Sequence, residues 1–173
     1  MFQTCVTDFR KSAAVIVFIS FIALSAALMS QYVFGLNPCV LCIYQRIPYV
    51  FAIAFGLIAY GAARQCKNTT RFFIFLAVFV LFVDSTIAVF HVGVEQKWWE
   101  GLSECSVSSG AEMTLEELRQ AVLSAPVVRC DEVAWSLFGI SMAGYNALLS
   151  FALGVFGSIS FFKGHKYGEN ASR

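Results

Sequence analysis

Hydrophobic positions along this chain fall into four long blocks with polar stretches between them. The blocks run roughly 13–34, 43–62, 72–90 and 137–162. Each is about as long as the roughly 20 apolar residues that cross a bilayer as a helix. Hydrocarbon gives the backbone no hydrogen-bond partners, so segments that cross it should be helical. The pattern predicts an all-α membrane protein, an antiparallel four-helix transmembrane bundle forming a single domain over 1–173. The last block contains Gly139, Gly144, Gly154 and Gly157, and small residues let membrane helices approach closely. The first block follows Arg10 and Lys11 and has small residues near Ser25–Ala27, as a signal peptide would. Its apolar run exceeds the roughly 7–15 residues of such a signal, so it is expected to remain as a span.

Composition agrees with this pattern. The 173 residues are 58% hydrophobic and only 13% charged, where a soluble domain carries about 25%. The net charge of +1 says little about partners, and no nucleic-acid partner is expected. The placement of charge says more. Arg10 and Lys11 precede the first block, Arg64, Lys67 and Arg71 separate the second from the third, and Lys163, Lys166 and Arg173 follow the fourth. With four alternating helices these clusters share one side, which the bias of Lys and Arg makes cytoplasmic, with both termini. The opposite side receives a tiny loop, 35–38, and a long one, 91–136, rich in acids such as Glu95, Glu104, Glu116 and Asp131.

The six cysteines sort by side. Cys5 and Cys66 fall with the basic clusters, where thiols stay reduced. Cys39, Cys42, Cys105 and Cys130 all fall on the other side. Between Cys105 and Cys130, Thr114 and Glu117 make a capping-box pattern, and Leu115, Leu118 and Val122 share a helical face. A short amphipathic helix is expected there, lying on the membrane or packed on its own loop. Trp98 and Trp99 follow the third block, where indoles favour the interface. Taken alone, Cys105 and Cys130 fit a structural disulfide stapling the loop.

The stretch "NPCVLCIYQR", residues 37–46, carries the chemistry. Asn37 is a good N-cap and Pro38 suits a first helical position, so a helix should start there. Cys39 and Cys42 would then lie in its first turns, where the helix dipole favours a thiolate. Arg46 follows Cys42 by one turn on the same face, and its charge would favour a Cys42 thiolate or an anionic acceptor. Pro48 removes the hydrogen bond to the Tyr44 carbonyl and predicts a local kink. A structural zinc usually takes four N or S ligands, and no metal is expected. A structural disulfide and a redox pair stay open. The helix start, the membrane edge, the arginine and the second outer pair favour redox exchange.

"PCVLCIYQR" resembles the hallmark of the disulfide bond formation protein B (DsbB) family of bacterial inner membranes. The resemblance covers the whole chain, with "FHVGVEQKWWEG" before Cys105 and "CDEVAWSLFGISMAGYNALLS" from Cys130. It implies an enzyme, a protein-dithiol:quinone oxidoreductase, that reoxidises a soluble periplasmic thiol oxidase (DsbA-like) and passes two electrons to ubiquinone or menaquinone. By the same resemblance Cys105 is attacked by the partner, Cys130 is its redox mate, Cys39 exchanges with that pair, and Cys42 faces the quinone. Arg46 and His91 would border the quinone; His91 otherwise reads as an interface histidine without chemistry. Two alternatives remain. One is a relative of vitamin K epoxide reductase, in which the CxxC usually comes late in the bundle. The other is a non-enzymatic four-span scaffold with a stapled loop, which leaves Cys39, Cys42 and Arg46 unexplained. Asp84 lies deep in the third block, where a carboxylate is costly unless paired. It should hydrogen-bond Ser or Thr of a neighbouring helix or belong to a proton path. The 18 phenylalanines should mostly face lipid.

Overall fold

The computed structural model describes residues 2–101 and 129–170, with side chains at 9–66, 68–101 and 129–162. The long helices are α1 (Phe2–Tyr32), α3 (Arg46–Ala62), α4 (Lys67–Glu95) and α5 (Met142–Asn170). A short helix α2 (Val40–Tyr44) leads into α3. Four segments are long and apolar enough to cross a membrane: Phe9–Tyr32, Val40–Ala62, Asn68–Glu95 and Met142–Phe162. The protein is a multi-pass, all-α membrane protein. Helix α4 packs against α3 and α5, and α1 packs against α3 and, to a smaller extent, α5. Short links join α1 to α2 and α3 to α4, which makes those consecutive spans antiparallel.

The helices outrun the hydrophobic blocks. Helix α4 starts at Lys67 rather than near residue 72 and continues to Glu95 rather than 90. Residues 91–95 are therefore helix, not loop. Hydrophobicity marks only the part in hydrocarbon, whereas backbone hydrogen bonding carries the helix onward into polar sequence. The fourth span starts later than its hydrophobic block. Ser136–Leu137 (β1) and Ile140–Ser141 (β2) form a small antiparallel hairpin, with Phe138 at φ 51° and Gly139 at φ 79° in its turn. Gly139 thus serves a hairpin turn rather than a helix contact, and Phe138 stands at the tip, 91% exposed. Helix α5 begins at Met142 because the Ser141 hydroxyl accepts the Gly144 N–H at 3.1 Å, an N-cap bond. The expected amphipathic helix near 114–122 lies outside the described residues.

Small residues bring the helices together. Buried Ala13, Ala59, Ile74 and Val78 form one core cluster; Ile16, Tyr49, Ala52, Leu81 and Leu153 form the next. Phe18, Phe21, Phe72, Phe75, Phe79 and Phe162 are exposed around the bundle, as lipid-facing residues must be. A Cβ at Gly157 would come within 2.5 Å of Val78 Cγ2, whereas one at Gly61 would meet nothing within 4 Å. The Val78 methyl is too short to swing aside. Gly157→Ala should therefore lower the thermal unfolding midpoint in detergent, by the ~1–3 kcal/mol typical of overpacking. Gly61→Ala should leave it unchanged or raise it. Equal midpoints in the two variants would contradict the close α4–α5 approach.

Candidate functional site

The helix carrying both cysteines starts later than Asn37 and Pro38 suggest. Its N-cap is Cys39, in an extended conformation at φ −72° and ψ 170°. Proline disfavours helical geometry in the residue before it, which keeps Asn37 out of the helix. Cys39 caps with sulfur: its Sγ accepts the Cys42 N–H at 3.3 Å. The helix start therefore serves Cys39 rather than Cys42. Helices α2 and α3 meet at Gln45, one residue after Tyr44. That is where the missing N–H of Pro48 weakens the ladder.

The two sulfurs lie 3.1 Å apart, and both thiols are free. Their surroundings differ. Cys39 is buried and belongs to one apolar cluster with Leu41, Val94 and Cys130. Its Sγ is 3.5 Å from His91 Nε2. Cys130 is buried and disulfide-bonded. It follows Arg129, which donates two hydrogen bonds to the Asp131 carboxylate at 2.9 and 2.7 Å. Cys105 lies outside the described residues.

Cys42 instead borders a cavity of about 230 Å³ between α1, α3 and α5, with Leu24, Leu36, Arg46, Tyr49 and Asn146 among its walls. The Arg46 guanidinium donates to Gln31 Oε1 at 2.6 Å and to the Ala27 carbonyl at 3.3 Å, both on α1. Its buried Nε has no hydrogen-bond partner among the described residues. An apolar cavity with a guanidinium and a thiol in its wall fits a largely apolar molecule with a carbonyl acceptor. A quinone has that chemistry.

The Cys39 thiol is held well below the ordinary cysteine range. The hydrogen bond with Cys42 is the largest cause, and the His91 and Cys42 amide contacts add to it against the opposing effect of burial. The thiolate therefore persists into acid, and its reactivity is lost only as pH falls through the lowered value. The donor atoms of Cys39, Cys42 and His91 lie within 4.8 Å of one another and could meet one metal ion. A tetrahedral structural zinc takes four ligands.

Behind the sulfurs runs a polar chain in which two amides that the sequence did not pick out, Gln45 and Asn146, join His91 to Asp84. Gln45 Nε2 is 3.0 Å from His91 Nδ1. Asn146 Nδ2 donates to Gln45 Oε1 at 2.9 Å and to Asp84 Oδ2 at 3.1 Å, while the Tyr49 hydroxyl donates to Asn146 Oδ1 at 2.6 Å. Asp84 thus meets two polar residues of α5, Asn146 and Ser150, the serine being the kind of neighbouring-helix partner expected. Gln45 and Asn146 carried a readable signal, because polar side chains inside spans are rare and functional by default. His91 is buried within α4 rather than sitting at an exposed helix end. The Trp99 indole folds back over α4, donating to the Phe90 carbonyl at 2.9 Å and lying where a Gly93 Cβ would be.

A family model described as "Disulfide bond formation protein DsbB" matches residues 9–159. The chain belongs to the DsbB family. A disulfide bond formation protein B of a Shewanella species (strain MR-4) is 34% identical over 150 residues, 82% of each chain. One of Stutzerimonas stutzeri is 29% identical over 147 residues, 80% of this chain and 86% of the relative. An uncharacterized Rickettsia prowazekii protein is 33% identical over 151 residues, 86% of each chain. Membership gives the chain an oxidoreductase role in disulfide bond formation.

The contrast between the sulfurs has a measurable consequence. In reduced protein, alkylation of Cys39 should persist to a pH where an ordinary thiol, with a pKa of about 8.5, is almost wholly protonated. His91→Leu removes one stabilising contact and should move that profile upward by about one pH unit, read by mass spectrometry of the Cys39 peptide. An unmoved profile would separate His91 from the Cys39 sulfur.

Proposed function

We propose that this DsbB family member is a protein-dithiol:quinone oxidoreductase of a bacterial inner membrane, with both termini cytoplasmic. Its electron donor is a soluble periplasmic thiol oxidase of the DsbA kind. A partner thiolate attacks Cys105 of a Cys105–Cys130 disulfide. A mixed disulfide forms and Cys130 leaves as thiolate. The second partner thiol resolves the mixed disulfide, releasing oxidised partner and leaving the loop pair as two thiols. Cys130 then attacks Cys39 of an oxidised Cys39–Cys42 pair, and Cys42 leaves as thiolate. Cys105 attacks Cys130, re-forming the loop disulfide and releasing Cys39. Two electrons have moved to the Cys39–Cys42 pair at each cycle. When bound in the cavity beside Cys42, a quinone would supply the two-electron acceptor; the Arg46 guanidinium would orient its carbonyl end, and the apolar walls would exclude water.

The observation that carries this reading is the division of labour between the sulfurs. Cys39 shares a buried cluster with Cys130, while Cys42 shares a cavity wall with Arg46. Cys39 also makes the better leaving group, because a thiol with a lowered pKa leaves faster. A disulfide-stapled scaffold would need neither arrangement.

Purified protein given a reduced thiol oxidase and a soluble quinone should bleach the quinone absorbance. Cys42→Ser should abolish turnover. Arg46→Met should slow it roughly tenfold or more and raise KM for the quinone, the effect expected from losing a hydrogen bond from a charged donor. Mixed-disulfide formation at Cys105 should survive in Arg46→Met. Full quinone turnover in Cys42→Ser would reject the assignment.

Topology has its own test. A membrane-impermeant maleimide applied to intact, reduced cells should label Cys105 and miss Cys66. Modification of Cys66 would invert the orientation.

A further inference from the structure

The polar chain behind Cys39 has a direction, and the direction fixes a proton. The Asp84 carboxylate only accepts, so the Asn146 atom 3.1 Å from its Oδ2 is the NH2 nitrogen. The second N–H of that group is directed to Gln45 Oε1 at 2.9 Å, and Asn146 Oδ1 takes the Tyr49 hydroxyl at 2.6 Å. With its oxygen turned to Asn146, Gln45 presents its own NH2 to His91 Nδ1 at 3.0 Å. An amide NH2 only donates, so Nδ1 must be the accepting nitrogen. A neutral imidazole then carries its proton on Nε2. That nitrogen faces Cys39 Sγ at 3.5 Å and Glu95 Oε1 at 3.9 Å, two acceptors.

We infer that Asp84 and Asn146, acting through Gln45, hold His91 in the Nε2–H tautomer and make it a fixed hydrogen-bond donor to Cys39. Asp84, Asn146, Tyr49 and Gln45 are positioning residues: of these, none touches the sulfur, and each settles the orientation of the next. His91 is thereby excluded as the base that deprotonates Cys39. Its Nε2 already holds a proton, and its Nδ1 lone pair is taken by Gln45. The imidazole stabilises the sulfur as an anion, which suits a group that must repeatedly leave from a disulfide.

The ionisable groups facing this imidazole and sulfur are few among the described residues. They are Cys42 from α2 and Glu95 from α4, whose side chain is 5% exposed. Cys130 shares the cluster as a disulfide. Tyr49 and Asp84 reach His91 only through the two amides.

The test uses the full chain in lipid with nitrogen-15 histidine. The two histidines, His91 and His165, are told apart by His165→Gln. Wild-type His91 should show the Nε2–H tautomer near neutral pH. Asn146→Asp keeps the shape but removes the NH2 group. Gln45 would then turn its own NH2 towards residue 146 and its oxygen towards His91. The imidazole should switch to Nδ1–H, and Cys39 alkylation at pH 6 should fall about tenfold, equal to one unit of pKa. A wild-type Nδ1–H signal would overturn the inference. So would an Asn146→Asp protein with unchanged tautomer and alkylation profile. Neither readout involves quinone or a thiol-oxidase partner, so the outcome is independent of the proposed electron route.

Discussion

Hydrocarbon offers no hydrogen bonds, so polar side chains on the four spans must satisfy one another. At the CxxC end of this bundle they link all four spans, leaving Arg46 Nε, Asp84 Oδ1 and Glu95 Oε2 without a hydrogen-bond partner among the described residues. Arg46 of α3 is tied to Gln31 and Ala27 of α1. Gln45, just ahead of α3, is tied to His91 of α4 and Asn146 of α5, and Asn146 reaches back to Asp84 of α4. Breaking one link strands a buried donor or acceptor, which costs about 1–3 kcal/mol, more than the bond itself contributes. The apolar clusters below hold the helices together without regard to fine register. The polar connections above fix which atom faces which, and the position of both sulfurs depends on them.

A redox pair needs two sulfurs that behave differently. Chemically identical cysteines three residues apart become different here through their neighbours. Cys39 sits at the helix cap, receives the Cys42 amide and lies beside His91. Cys42, one turn into the helix, opens onto an apolar cavity with a guanidinium in its wall. A lowered pKa at Cys39 favours its departure from a disulfide, and it shares a buried cluster with Cys130. The asymmetry is directional: one cysteine packs in the protein interior beside Cys130, the other opens onto an apolar cavity.

Most of the fold could be read from hydropathy, because lipid punishes every departure from an apolar helix. The ends could not. His91 and Glu95 read as loop because hydrophobicity falls off at residue 91, whereas α4 runs on through both. Residues 137–141 of the hairpin read as helix because most of them are apolar, whereas Phe138 and Gly139 make its turn at positive φ. For the site, Cys39, Cys42 and Arg46 announced themselves by spacing. The N-cap was misplaced because Asn-Pro is a common helix start and a cysteine sulfur is a rare cap. Gln45 and Asn146 are 101 residues apart, and nothing local predicts that their amides meet. Each was visible only as a polar residue inside an apolar block.

The helix geometry explains how one short segment addresses so many partners. Successive residues of an α-helix point about 100° apart, and residues four apart share a face. Gln45 and Tyr49 therefore look the same way, and both meet Asn146. Cys42 and Arg46 form the next row round, and both line the cavity. The rows adjoin, so Tyr49 and Gln45 also reach the cavity wall while holding the polar chain behind it. The interruption at Gln45 sits between the turn that carries the cysteines and the turn that carries their supports. Pro48 weakens backbone hydrogen bonding there without removing the side-chain bonds that cross it. The first turn is thus held through the contact of Cys39 with His91 rather than by the rigidity of a continuous helix.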